Sequence, residues 1–182
     1  IPTFIESADV TPAYTNDGYA LFLGRLSPEK GVNDLVSALA KTKNKQITLK
    51  LTGDVQEEYA ASLAARAEEL GVRERVEFTG FVRGDALRAL IDGCACVCLP
   101  AVWYENLPNA VLEAYAHGKP VIVSRIGSLT EMVVEGETGL LCEPGNPDSL
   151  ASCLDTLFSD NSLPARMGVK VAVGSDAGAM FV

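Results

Sequence analysis

A short segment near the start of the chain, Gly24-Arg-Leu-Ser-Pro-Glu-Lys-Gly31, carries residue types that suit a phosphate group. It follows an apolar run and precedes a stretch with helical periodicity, so it joins a strand end to a helix start. Arg25 offers a forked guanidinium, Lys30 a point-charge ammonium, and the helix start adds backbone amides and a dipole. The segment matches neither G-x-x-x-x-G-K-S/T nor G-x-G-x-x-G, and a polar turn with solvated charges is the alternative.

A second segment places two glutamates eight residues apart around the start of another helix. Glu105 precedes Pro108, which can begin that helix at its first position, and Glu113 lies inside it. Glu113 flanks the apolar stripe of the helix, where a carboxylate is costly unless something hydrogen-bonds to it. Ligand hydroxyls are one solution. In the alternative interpretation, Glu105 only stabilises the helix dipole and Glu113 is an acid on the side of the helix, at the border of its buried face.

The cysteines indicate a reduced protein, because five of them occur without the spacing of a disulfide framework. Cys94, Cys96 and Cys98 alternate within an apolar run that ends at Pro100, which predicts a buried strand. Three thiols could instead bind a soft metal, but no histidine or further cysteine lies close in sequence. We expect the three thiols to be metal-free, with Cys94 and Cys98 on one face of the strand and Cys96 on the other.

The composition is that of a globular chain with an acidic surface. Of 182 residues, 48% are hydrophobic and 21% charged, and 15 Lys and Arg against 24 Asp and Glu give a net charge of −9. Such a chain repels nucleic acid and anionic lipid over most of its surface, so an anion site must be built locally. No apolar run approaches the roughly 18 residues of a membrane span, and no signal peptide is visible.

Strand and helix patterns alternate along the chain. Apolar runs predict strands at 19–24, 47–52, 76–79, 94–99, 120–124 and 138–142. Helical periodicity predicts helices at 32–40, 56–70, 85–92, 108–117, around 128–134 and at 147–158. This alternation predicts an α/β fold with a doubly wound, mostly parallel, Rossmann-like sheet of about six strands, which binds ligands at the carboxyl ends of its strands. We expect a single domain over 1–182, with a leading linker at 1–18 and an irregular tail at 159–182.

Three motifs occur in a characteristic order: GRLSPEKG, then ENLPNAVLE, then IGSLTEMVVEGETGLLCEPGNPDSLA. Each coincides with an expected strand-to-helix loop. Together they resemble the C-terminal half of retaining GT-B glycosyltransferases of the group 1 type, over roughly residues 1–158. The E-x7-E element of that family corresponds to Glu105 and Glu113.

The resemblance implies a site for a nucleoside-diphosphate sugar, used without a cofactor or metal. Arg25 and Lys30 would contact the diphosphate and stabilise charge on the leaving phosphate, which makes them, with Glu105, the catalytic candidates. Glu105 would bind hydroxyls of the transferred sugar, and Glu113 those of the ribose. The remaining implied contacts come from two places. A turn would lie beside the nucleotide base, and the start of the helix at 108–117 would face the sugar and phosphate. The residues are Gly80, Phe81, Val82, Asn106, Leu107, Pro108 and Asn109.

The resemblance also implies partners and a location. The acceptor-binding N-terminal domain would be missing from this chain, so we expect nucleotide binding without turnover. The cysteine pattern predicts a cytoplasmic setting and the acidic charge predicts no nucleic-acid partner, and any peripheral membrane association would come through the missing domain. Two other interpretations stay open: a non-catalytic Rossmann-like nucleotide-binding module, and a related GT-B glycan synthase or nucleotide-sugar epimerase. His117, the single histidine, is expected to cap a helix.

Overall fold

The computed structural model describes residues 16–104, 108–160, 163–167, 171–172 and 180–181. Six parallel strands form one sheet in the order β3-β2-β1-β4-β5-β6. They are β1 (Tyr19–Leu23), β2 (Thr48–Thr52), β3 (Val76–Gly80), β4 (Cys96–Leu99), β5 (Val121–Ser124) and β6 (Gly139–Cys142). The expected doubly wound α/β sheet is therefore confirmed.

Helices cover both faces of this sheet. They are α1 (Val32–Lys41), α2 (Glu57–Glu69), α3 (Gly84–Gly93), α4 (Asn109–Ala116), α5 (Ser128–Met132) and α6 (Pro147–Leu157). The helices α1, α2 and α6 pack side by side on one face. Right-handed crossovers place α3, α4 and α5 on the other face. In the described ranges, no helix has both the length and the apolar composition needed to cross a membrane.

The core follows from the apolar strands. The central strands β1, β4 and β5 are buried almost throughout, as parallel strands covered on both faces must be. Register places Phe22 of β1 between Leu51 of β2 and Cys98 of β4. These layers give a rigid frame whose loops can position a site.

The cysteine segment differs from the expectation in two ways. The strand begins at Cys96 rather than Cys94, because Cys94 is the C-cap of α3 and the chain enters the sheet only where the Ala95 amide donates to the Tyr19 carbonyl at 2.9 Å. The expected split of the thiols between two faces is wrong. The Cys96 and Cys98 sulfurs lie 3.9 Å apart on one face, because residues two apart in a strand point the same way. All five cysteines are free thiols.

The described residues after α6 form three short elements. A short helix, α7 (Leu163–Met167), follows, and its Met167 is buried against the core. Two further segments, β7 (Val171–Ala172) and β8 (Met180–Phe181), pair as antiparallel strands. Residues 1–15, most of the expected linker, lie outside the described residues.

Candidate functional site

The strand order reverses between β1 and β4, which are neighbours in the sheet although three helices and two strands separate them in sequence. The loop after β1 leads to α1 on one face, whereas the loop after β4 leads to α4 on the other. Such a divergence opens a crevice at the carboxyl ends of the two strands, and this is where doubly wound sheets bind ligands.

A cavity of about 460 Å³ occupies this crevice. Arg25 and Lys30 line it from the loop after β1, and Pro108 and Asn109 line it from the start of α4. Pro108 is the N-cap of α4 rather than its first helical residue, and it carries no side-chain cap for the first-turn amides. The two cations and an uncapped helix start therefore face one space, which can accept an anion.

Arg25 is held only loosely in this conformation. Its Nη2 lies 3.3 Å from Oε1 of Glu29, four residues further along the chain, and the Arg25 side chain is 70% exposed. An exposed ion pair of this kind contributes little free energy. The guanidinium can therefore turn towards an anion in the cavity at small cost.

A second cavity, of about 270 Å³, adjoins the first and shares Arg25 and Asn109 with it. Phe81 and Val82 line it from the loop after β3, and Glu113 lines it from the second turn of α4. Gly80, by contrast, lines a neighbouring apolar cavity of about 340 Å³ between α2 and the sheet. The structure thus brings Glu113 and the Phe81–Val82 turn together beside the two cations.

Close backbone contact between two loops forms the floor of this region. Gly53, which follows β2, has a φ of +142°, and a Cβ placed on it would lie 1.9 Å from the Gly24 carbonyl oxygen. Only glycine satisfies both conditions. The loops after β1 and β2 can therefore touch, and both glycines line the second cavity.

Glu113 is the half-buried acid of the site. Among the described residues its carboxylate has no hydrogen-bond partner, although it lines the second cavity. Burial raises the pKa of Glu113, and the nearby His117 acts in the opposite direction. A half-buried carboxylate without a protein donor is suited to accept hydrogen bonds from a ligand.

Two charged residues of the second cavity, Arg83 and Asp54, were not predicted from the sequence. The Arg83 guanidinium carbon lies 4.5 Å from the centroid of the Phe81 ring, and that ring is 53% exposed. Asp54, in the loop after β2, lines the same cavity. The sequence signal for Arg83 was its position one residue beyond the Gly80–Val82 turn; nothing local distinguishes Asp54.

Three of the expected contacts, Glu105, Asn106 and Leu107, lie outside the described residues. Their roles stay predictions. Within the described ranges, no three His, Cys, Asp or Glu side chains are grouped so that they could hold a metal ion.

Comparison with known proteins gives a family. The profile of the family "Glycosyl transferases group 1" matches residues 4–171. An uncharacterised glycosyltransferase of Methanocaldococcus jannaschii is 38% identical over 143 residues, which are 77% of this chain and 35% of that protein. The chain thus spans about a third of the length of that relative.

Solved structures agree. The Anabaena protein HepE, crystallised with UDP and glucose, is 32% identical, with a TM-score of 0.75 over 84% of this chain and 41% of that one. The C-terminal domain of the group 1 glycosyl transferase LpcC of Francisella tularensis has the same fold, with a TM-score of 0.78 over 90% of this chain and 92% of that domain at 22% identity. This chain belongs to the glycosyl transferases group 1 family.

Proposed function

We propose that this chain is the donor-binding half of a retaining glycosyltransferase. The full protein would transfer a sugar from a nucleoside-diphosphate sugar to a glycan or lipid-linked acceptor. The observation that carries the proposal is that Arg25, Lys30 and the uncapped start of α4 line one cavity at the β1/β4 crevice. HepE, 32% identical to this chain, was crystallised with UDP, which supports a nucleotide donor.

Each part of the site matches a part of the donor. Arg25 and Lys30 would bind the diphosphate and stabilise the negative charge that grows on it as the sugar–oxygen bond breaks. Glu113 would accept hydrogen bonds from the ribose hydroxyls. Phe81 and Arg83, whose planar groups lie against each other, would support the base, because bases stack on aromatic rings and guanidinium planes alike.

We also propose that the site works without a metal. Two cations and a helix dipole supply positive charge where the diphosphate would lie, so no divalent ion is needed to neutralise it. Most of the acceptor site and further reacting groups would come from an N-terminal half, which would also carry any membrane association. The location would be cytoplasmic, and the five unpaired cysteines support this.

The test is a calorimetric or NMR titration of the 182-residue chain with UDP, GDP and ADP, in EDTA and then in Mg²⁺. When only one half of a two-domain site binds the nucleotide, the nucleotide stays exposed to water and its polar contacts are weak. We therefore expect a Kd on the order of 0.1–1 mM, unchanged by Mg²⁺. A donor-hydrolysis assay should show no turnover, because catalysis needs both halves held together. Absence of binding by all three nucleotides at millimolar concentration would contradict the donor site.

A further inference from the structure

An aromatic surface stands beside the donor cavity and takes no part in the contacts assigned above. Five large hydrophobic side chains in the described ranges are exposed, and three of them are consecutive: Val102 at 38%, Trp103 at 68% and Tyr104 at 70%. We call these three residues the aromatic edge. The chain passes into it directly from Leu99 and Ala101, which are buried in the core. Nothing in the packing of the fold requires two large aromatic rings in solvent here.

Backbone contacts hold the aromatic edge next to the cation loop. The Val102 amide donates to the Glu29 carbonyl at 3.0 Å, one residue before Lys30. Gly31, with a φ of +71°, approaches Pro100 so closely that a Cβ on it would lie 1.8 Å from the Pro100 oxygen. The loop after β4 is therefore fixed to the loop that carries Arg25 and Lys30.

Side-chain contacts fix the other end of the aromatic edge. The Tyr104 ring lies against Gly127 in the turn after β5, where an added Cβ would be 2.8 Å from Tyr104 Cδ1. Val102 reaches towards Gly145 in the turn after β6, with its Cγ1 4.0 Å from an added Cβ. The Tyr104 ring and the Val102 side chain thus lie against two backbone turns, at the same edge of the sheet as the donor cavity.

We propose that the aromatic edge binds a pyranose ring of the acceptor. Trp and Tyr present a flat apolar face together with an N–H or O–H at the rim, which matches a sugar ring with C–H groups on its faces and hydroxyls around it. Aromatic rings also lose little conformational entropy on binding, because each has only two side-chain torsions. Because the edge is fixed to the loop that carries Lys30, a ring bound there would lie near the proposed donor site. This inference depends on the proposed function, since it assigns the acceptor side of the same reaction.

A protein surface is the competing occupant of exposed apolar side chains. The edge is small, two of its three side chains are aromatic, and charged residues lie close in sequence to the two glycines that it contacts. Arg125, two residues before Gly127, pairs with Glu135 at 2.9 Å and Glu143 at 3.4 Å. An aromatic face within a charged, hydrogen-bonding rim favours a sugar over a broad apolar partner.

The chain contains one tryptophan, so Trp103 fluorescence reports on the aromatic edge alone. The experiment titrates the 182-residue chain with methyl glucoside, methyl galactoside and methyl mannoside, and with sorbitol as an open-chain polyol without a ring face. We expect a saturable blue shift with at least one pyranoside, at an apparent Kd on the order of 1–10 mM, and none with sorbitol. Tyr104→Ala should weaken this binding by about tenfold, whereas Tyr104→Phe keeps the stacking face and should retain most of it. Val134→Ala, which truncates an exposed side chain outside the edge, is the matched control.

Each result decides the matter. Equal responses to sorbitol and the pyranosides, or no saturable response to any pyranoside, would overturn the proposal. A blue shift that grows with protein concentration in the absence of sugar would also overturn it, because the edge would then be a protein-docking surface. A parallel UDP titration of the wild-type chain separates the two proposals. If the chain binds UDP but no pyranoside, the acceptor site alone is rejected. If the chain does not bind UDP, the donor site is rejected.

Discussion

Both ends of the sheet carry charged side chains close to the core, but the two ends differ in what these side chains contact. At the amino end, His117 Nδ1 lies 2.6 Å from Asp92 Oδ1, and the Lys119 ammonium donates to the Asp92 carbonyl at 2.5 Å. Tyr19 adds a hydrogen bond from its hydroxyl to the Leu90 carbonyl at 2.7 Å. His117 and Lys119 are buried, and their polar atoms meet protein atoms.

The carboxyl end presents the reverse situation. Glu113 is half-buried with no hydrogen-bond partner in the described part of the chain, and Arg25 is paired only with an exposed glutamate of its own loop. Open cavities adjoin both residues. Charge that the protein satisfies internally stabilises the fold, whereas charge that faces an open cavity is available to a ligand. The two ends should therefore respond differently to substitution, one in stability and the other in binding.

The largest effect is expected at the amino end. Lys119→Ala removes a buried ammonium, leaves Asp92 without that donor and opens a cavity, so the free energy of unfolding should fall by about 3 kcal/mol. Urea denaturation measures this. Affinity of the folded protein for UDP should stay unchanged, since Lys119 lies far along the strands from the crevice. Lys43→Ala, at an exposed lysine, should change stability by less than about 0.5 kcal/mol. A comparable loss in both variants would show that the buried amine has no special role.

Glu113→Gln should have the opposite profile. A ribose diol prefers a charged acceptor, and each charge-assisted hydrogen bond contributes roughly 1.5–3 kcal/mol, so UDP affinity should fall at least about tenfold. Calorimetry on the variant and on Glu58→Gln, an exposed glutamate of α2, provides the comparison. Equal UDP affinity in the two variants would remove Glu113 from the ribose site.

The sequence predicts the features of this fold and site that depend on neighbouring residues, but not those that depend on contacts between distant segments. Strands and helices were predictable, because apolar runs and 3.6-residue periodicity are local. The sequence also singled out Arg25 and Glu113, which line the cavities, although their roles stay predictions. The limits of β4 were not, because its first residues are set by the Ala95–Tyr19 hydrogen bond between distant segments. Asp54 and Arg83 join the cavity only through tertiary packing. No spacing in the sequence reports that the loops after β2 and β3 end beside α4.

Arg25→Ala and Lys30→Ala test the diphosphate end of the site. Each should weaken UDP binding by about 1.5 kcal/mol and leave uridine binding almost unchanged, because uridine lacks the phosphates that these cations would contact. Titrations at low and high salt should show the loss shrinking at high salt, as screening reduces the contribution of exposed charges. Equal losses for UDP and uridine would point to a structural effect instead.

A smaller effect is expected at the base. Phe81→Ala removes the ring that lies against the Arg83 guanidinium, and stacking on one aromatic face is worth about 1 kcal/mol or somewhat more. Both UDP and uridine should therefore bind more weakly, unlike in the Arg25 variant. Phe81→Tyr keeps the ring and is the matched control. If UDP affinity is the same in Phe81→Ala as in the wild type, the base lies elsewhere.

The smallest effect concerns Glu113 in the free protein and has the opposite sign to its effect on binding. Burial raises the pKa of Glu113 in the folded chain. A raised folded pKa means that the contribution of this group to stability is fully present below the ordinary carboxyl pKa and is lost as pH rises through the folded pKa.

At neutral pH, Glu113→Gln should therefore increase the free energy of unfolding, by less than about 1 kcal/mol, because water screens a half-exposed carboxylate. The gain should vanish in acid, where the wild-type carboxyl is protonated. As pH falls through the same interval, UDP affinity should decrease more in the wild type than in the glutamine variant, because protonation of the UDP phosphate affects both and protonation of Glu113 affects only the wild type. Urea denaturation and UDP titration across this interval measure both trends. A glutamine variant that is less stable than the wild type at neutral pH would show that Glu113 is satisfied within the fold, like the charges at the amino end.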